Sequence, residues 1–190
     1  LISNIPDEEN SSIAFPYMSP AVRLTEYSED EVVDWQAPDF IIASIGKSRR
    51  RIAEYFIAKH DIPDVRFIPL IHPSSVTANG FVYGAGLHIS PLSVIAPYCT
   101  FGRFVVINRQ VSIGHHTVLH DYVSINPGVT ISGICDIGDN TTIGAGATIL
   151  DKIRIGANTI IGAGSVVTKD IPEGVIAYGS PAKVIRDNNP

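Results

Sequence analysis

From Ile89 to Val167 an aliphatic or aromatic residue fills every sixth position without a miss: Ile89, Ile95, Phe101, Ile107, Ile113, Leu119, Ile125, Ile131, Ile137, Ile143, Ile149, Ile155, Ile161 and Val167. Four residues after each stands a small or β-branched residue, mostly Val, Thr, Ser, Ala or Cys. Gly102, Gly114, Gly138, Gly144, Gly156 and Gly162 each follow directly after one of these apolar positions. A six-residue period matches neither the helical repeat of about 3.6 nor the strand repeat of about two. It matches a short strand and a corner, repeated, with one side chain per strand aimed at a common core, the pattern of a parallel β-helix. Strands this short cannot bury a face alone, so successive coils must stack and share one core. With three hexads per coil, residues 18 apart become vertical neighbours, about 4.8 Å apart.

The phase extends back through Tyr83 and Thr77 to Ile71, which starts the coil near residue 71 and gives it between five and six turns. It stops at Asp170-Ile171-Pro172; Val175 to Tyr178 predicts a last strand, and Gly179-Ser180-Pro181-Ala182-Lys183 leads into a cap over the open end. Uncapped strand ends would invite other chains to pair. Upstream the texture differs. Leu1 to Ile5 predicts a strand, Ser28 to Trp35 a short capped helix, and Phe40 to Ile45 a buried strand. After Gly46-Lys47-Ser48, a helix is expected from about Arg49 to His60, with Ile52, Tyr55, Phe56 and Lys59 at helical spacing, then a strand over Phe67 to Ile71. Strand, turn, helix and strand make a βαβ unit. The expected fold is therefore mainly β: a parallel β-helix over residues 71–190, preceded by a small α/β, Rossmann-like domain over residues 1–70. The chain begins at Leu1 without Met, which points to a truncated or processed start.

A net charge of −5 and a pI near 5.6 argue against a protein that tracks nucleic-acid phosphates. No apolar run nears the ~20 residues of a membrane span and no signal peptide opens the chain, so the expected setting is the cytoplasm. Cys99 and Cys135 share the small inward slot, two coils apart. That spacing, roughly 10 Å, exceeds disulfide reach and makes them small core residues.

The densest titratable cluster in the repeat is His115, His116 and His120. His115 and His116 fall on a corner and should project outward, as solvated residues or as a functional pair. Gly133 lies 18 residues after His115, so bare backbone sits one coil from the imidazole. A proton acceptor beside an unshielded amide is the minimum equipment for acyl transfer. Asn108 and Asn126 form a second column, continued by Gly144 and Gly162; it suits either a polar site or a structural ladder with left-handed corners. Ala145 and Ala163 also stack, leaving a narrow smooth groove along the coil axis. A separate candidate is Gly46-Lys47-Ser48 with Arg49, Arg50 and Arg51, where basic residues in a first helical turn oppose the helix dipole unless an anion docks there.

Ile107-Asn108, Ile113-Gly114-His115-His116, Asp121-Tyr122-Val123-Ser124-Ile125-Asn126-Pro127-Gly128 and Gly179-Ser180-Pro181-Ala182-Lys183 together resemble the hexapeptide-repeat acyltransferases. Within them they are most similar to the NeuD/PglD group of sugar O- and N-acetyltransferases, as is Ile71-His72-Pro73-Ser74. The resemblance spans about residues 40 to 186. It implies a left-handed coil, against the usual crossover hand. It further implies a homotrimer, acetyl-CoA held between neighbouring subunits, no metal, and a nucleotide-linked sugar substrate whose diphosphate would meet Gly46, Lys47 and Ser48. By motif position His115 would be the general base and Asn108 a polar partner near it. Gly133 would offer its amide to the thioester, and Ser124, Gly144, Ala145 and Ala163 would line the CoA groove. Three positions depart from the group: His116 stands where an acid usually raises the basicity of the base, Ser124 where the bacillosamine type carries His, and Gly114 where Glu often precedes the base.

Two other functions remain open to the sequence. A γ-carbonic-anhydrase-like metal enzyme would use His115 and His120, five apart, but its third ligand position falls near Asn79. A sugar- or nucleotide-binding β-helix protein without turnover would accommodate His116 in place of an acid.

Overall fold

The computed structural model describes residues 40–42 and 47–188. The elements expected over Leu1–Ile5 and Ser28–Trp35, the end of the strand expected from Phe40, and Gly46 lie outside the described residues. Pro38–Pro190 forms one compact unit.

Two-residue strands recur every six residues and stack into three parallel walls of a β-solenoid of about six turns. The first wall holds Leu70–Ile71, His88–Ile89, Val106–Ile107, Ser124–Ile125, Thr142–Ile143 and Ile160–Ile161; the second runs from Val76–Thr77 through Ser112–Ile113 to Val166–Val167; the third runs from Val82–Tyr83 to Arg154–Ile155. Register follows the 18-residue rule, with Ile89 opposite Ile107, Ile113 opposite Ile131 and Ile125 opposite Ile143. All fourteen of the six-spaced residues from Ile89 to Val167 are at most 2% exposed. The small inward slot closes each corner. Its polar members give their protons to carbonyls of the next coil: Ser93 Oγ to Asn108 O (2.8 Å), Thr141 Oγ1 to Gly156 O (2.8 Å) and Cys99 Sγ to Gly114 O (3.2 Å). Cys99 and Cys135 are buried, free thiols whose pKa is pushed up chiefly by burial.

From Ile89 to Ile161 the third residue after each inward position turns the corner with positive φ, as at Tyr98 (62°), His116 (56°), Tyr122 (60°) and Ile134 (62°). Only Gly avoids the cost of that conformation, about 1–2 kcal/mol for an L-residue, yet side chains from Leu to Lys accept it because both neighbouring ladders constrain the backbone. The left-handed residues are thus Gln110 and Gly128 rather than Asn108 and Asn126, two positions before them. At the end of the coil the step shortens: Ile160 pairs with Ile176, and Val175–Gly179 then pairs antiparallel with Ala182–Asp187 as a closing hairpin.

The helix α1, Lys47–His60, begins two residues before the expected start. Phe40 and Phe67 on either side of it make one parallel bridge, with Phe40 N donating to Arg66 O (2.8 Å) and Ile68 N to Phe40 O (3.1 Å). Arg49 pins α1 to the coil. Its side chain, 2% exposed, donates to the carbonyls of Phe104 (3.2 Å), Gly86 and Ile42. Burial lowers its pKa to about 10. Beside it Phe104 stacks on Tyr122, with ring centroids 5.3 Å apart, and meets Phe67 edge-on.

Candidate active site

Strand Ser112–Ile113 ends in Gly114, His115 and His116, at the corner between the second and third walls. The preceding inward residue, Ile113, fixes the phase: two residues beyond it the chain has left the wall, so His115 points to solvent, as its exposure shows. One storey above stands Gly133, tied to this corner by Ile134 N donating to His115 O (2.8 Å). The imidazole of His115 lies over this glycine. A Cβ built on Gly133 would sit 2.8 Å from His115 Nε2 and 3.0 Å from Cε1, so only glycine leaves that ring its place. Gly114 does the same for the amide itself: a Cβ there would lie 2.5 Å from Gly133 N. Among the described residues no carbonyl or side chain accepts the Gly133 N–H. A ring nitrogen and an amide without an acceptor thus belong to the same corner, one storey apart.

The other ring nitrogen is engaged. His115 Nδ1 lies 3.0 Å from His116 Nδ1, and the two rings meet edge to face. His116 in turn packs on Tyr98, with ring centroids 5.1 Å apart. Tyr98 is a site neighbour that spacing did not single out, although the 18-residue rule applied to His116 points straight to it. His120 belongs elsewhere. It starts the next corner, where its Nε2 lies 2.9 Å from Asp136 Oδ1. Three histidines adjacent in sequence therefore form a pair and a separate residue, since a wall strand, Val118–Leu119, intervenes. Among the described residues no three His, Cys, Asp or Glu side chains are grouped to hold a metal ion.

The Asn108 column lies at the corner between the first and second walls, one wall away from His115. Asn108 Nδ2 donates to Ile125 O (3.2 Å), and no contact within one chain brings it to His115. Higher on the same corner stand Gly144, Ala145 and Ala163; a Cβ on Gly144 would sit 2.4 Å from Ala163 N. Ala145 and Ala163 are exposed, and Cβ atoms added to the neighbouring Gly146 and Gly164 would meet nothing within 4 Å. This is a bare, smooth strip. Ser124 lies on the outer face of the first wall and is 3% exposed. At the start of α1, Ser48 is exposed, while Arg49 serves the packing described above and Arg50 pairs with Glu54 at 2.7 Å. Two of the basic residues read as an anion site thus have partners in the fold.

The family model for bacterial transferase hexapeptide (six repeats) matches residues 134–169. The coil carries the hexapeptide repeat that this model describes. Solved structures similar to this hexapeptide-repeat chain include the acetyltransferase domain of PglB from Neisseria gonorrhoeae in complex with acetyl coenzyme A, at 28% identity, TM-score 0.71, covering 77% of this chain and 70% of that one. Another is a His-to-Asn variant of perosamine N-acetyltransferase from Caulobacter crescentus in complex with CoA and GDP-perosamine, at 29% identity and TM-score 0.66, covering 73% and 66%. A third is WeeI from Acinetobacter baumannii, at 25% identity and TM-score 0.62, covering 76% and 69%. The chain thus spans about two thirds of the length of these structures. No curated protein matched it by sequence. The likeness to sugar N-acetyltransferases agrees with the resemblance to the NeuD/PglD type. No helix among the described residues is long and apolar enough to cross a membrane.

Proposed function

We propose that this protein transfers the acetyl group of acetyl-CoA to an amine or hydroxyl of a nucleotide-linked sugar, with His115 as general base. The observation that carries the reading is the placement of His115 Nε2 over Gly133, next to an amide that nothing in the described chain uses. In this mechanism His115 Nε2 takes the proton from the acceptor as its nitrogen or oxygen attacks the thioester carbonyl. The Gly133 N–H donates to the oxyanion that forms. Collapse of the tetrahedral species breaks the carbon–sulfur bond, and the proton held on His115 passes to the departing thiolate. Acetyl-CoA would supply only the acyl group and the leaving thiol; base and oxyanion donor both belong to the chain.

The bare strip at Ala145 and Ala163 suits the thin pantetheine arm of CoA. That strip and Asn108 occupy one corner and His115 another, so a groove using both is complete only where two copies meet. The proposal takes the assembly that the resemblance implies, a homotrimer of left-handed coils, and places it in the cytoplasm. Residues 1–70 would form the α/β part that receives the nucleotide sugar, the class of compound named for the perosamine N-acetyltransferase complex. The test is thiol release from acetyl-CoA with a panel of nucleotide-linked amino sugars. His115→Ala should lower kcat by about 10²–10⁴-fold with assembly and CoA binding retained. Near wild-type turnover would remove His115 from the role, and no thiol release with any acceptor would leave a binding protein.

A further inference from the structure

The corner between the first and second walls carries one vertical column: His72, Ser90, Asn108, Asn126, Gly144 and Gly162. At its lower end each backbone N–H donates to the inward residue of the coil above, His72 N to Ile89 O (2.9 Å), Ser90 N to Ile107 O (2.8 Å) and Asn108 N to Ile125 O (2.9 Å). The column is polar below and bare above. The proposed function gives the bare part to acetyl-CoA and leaves His72, at the foot, without a task. His72 is nonetheless held in one state. Its Nδ1 accepts from Ser74 N (3.1 Å) and lies 2.9 Å from Ser74 Oγ, which itself accepts from Leu92 N (3.0 Å) on the next coil. A backbone N–H only donates, so Nδ1 is an acceptor and the neutral ring carries its proton on Nε2. His72 is exposed, and among the described residues nothing accepts that proton.

We infer that His72 binds the acceptor substrate, its Nε2–H donating to an oxygen of the phosphate that carries the sugar. The inference rests on the proposed acetyl transfer. Copies arranged around an axis along the coils keep each coil at one height, so Asn108 of one copy is level with the base of the next. Acetyl-CoA reaches that level from the coils of Ala145 and Ala163 above, so the acceptor must meet it from the coils below. His72 stands two storeys, about 9.6 Å, beneath Asn108. That is the span of one pyranose ring and its anomeric phosphate, reckoned from an amine or hydroxyl on the far side of the ring. In the chain His72 follows directly on Leu70–Ile71, where the residues proposed to receive the nucleotide give way to the coil. An N–H fixed by its own backbone gives an anionic oxygen a strong, directional hydrogen bond.

Two substitutions separate the donor from the ring. His72→Phe keeps a ring and offers no donor, and His72→Gln returns an N–H at the reach of Nε2. Side-chain ¹⁵N NMR of the full chain locates the His72 proton, and thiol release gives KM for each substrate. The wild-type spectrum should place the proton on Nε2. UDP-glucosamine should shift that resonance, and glucosamine alone should not. H72F should raise KM for the nucleotide-linked acceptor roughly tenfold or more with KM for acetyl-CoA unchanged, and H72Q should recover most of that loss. A proton on Nδ1, no shift with UDP-glucosamine, or the same shift with glucosamine alone would each overturn the assignment. So would an unchanged acceptor KM in H72F, an equal rise in KM for acetyl-CoA, or an H72Q loss as deep as that of H72F. If no acceptor is acetylated, the proposed function fails by itself, while the shift at Nε2 still decides whether His72 meets the phosphate.

Discussion

Gly133→Ala tests the central geometry with one methyl group. The added Cβ would meet His115 Nε2 at 2.8 Å, Cε1 at 3.0 Å and Cδ2 at 3.2 Å, so the ring must retreat by about 0.6 Å to reach ordinary contact at 3.4 Å. Gly133 has no left-handed φ, so alanine is compatible with its backbone. Moving the imidazole off its rotamer costs about 0.5–1.5 kcal/mol. The stiffer unfolded chain returns about 0.4–1 kcal/mol. Net stability should barely change. Activity should not survive so well: a 1 Å misplacement forfeits about a hundredfold in rate, so a retreat of about 0.6 Å should cost roughly tenfold or more. The assay pairs thiol release with a thermal scan. Gly114→Ala is the contrast: its Cβ would meet Gly133 N and Ser132 C, both backbone, at 2.5 Å, and it should cost roughly 1–3 kcal/mol of stability. A double variant, Gly133→Ala with His115→Ala, removes the clash, so the two substitutions should be non-additive in stability. Wild-type turnover in G133A, or a loss of stability matching that of G114A, would refute the stacking of His115 on Gly133.

Other perturbations probe the rest of the molecule. Ile125→Ala empties a fully buried position midway along the coil and should cost about 2–5 kcal/mol, read as a fall in the urea midpoint. Arg49→Met leaves the carbonyls of Phe104, Gly86 and Ile42 short of a donor; a loss of about 2–4 kcal/mol is expected, with faster amide exchange across α1. His88 projects from the outer face of the first wall, where burial and then the Arg49 charge hold its pKa below the ordinary value. The unfolded chain therefore takes up this proton first, and His88 contributes a loss of stability as pH falls below about 6.5. His88→Gln should flatten that part of the acid dependence when urea midpoints at about pH 7.5 and about pH 5.5 are compared; an unchanged slope would sink the assignment.

Much of this molecule could be read from spacing. The six-residue period located the wall strands from Ile71 to Val167, and the 18-residue rule gave the register of Ile113 on Ile131 and hence His115 beside Gly133. It worked because every coil repeats one geometry, so distance along the chain converts directly into height in the solenoid. The same regularity explains the misread cluster. His115 and His120 look adjacent in the sequence, but an intervening strand carries them to different corners. Arg49 misled for a different reason. A basic residue in a first helical turn suggests an anion, and only the fold of Arg49 against Gly86 and Phe104 reveals that backbone carbonyls are its partners.

Period and phase, then, are local and repeated, so the linear chain alone determined the walls, the inward residues and the column that joins His115 to Gly133. What lies across a corner or between distant segments depends on rotamers and on long-range docking, which carry no periodic trace. The Nδ1 pairing of His115 with His116, the left-handed backbone beneath it and the anchoring of α1 by Arg49 were decided only once the chain had closed on itself.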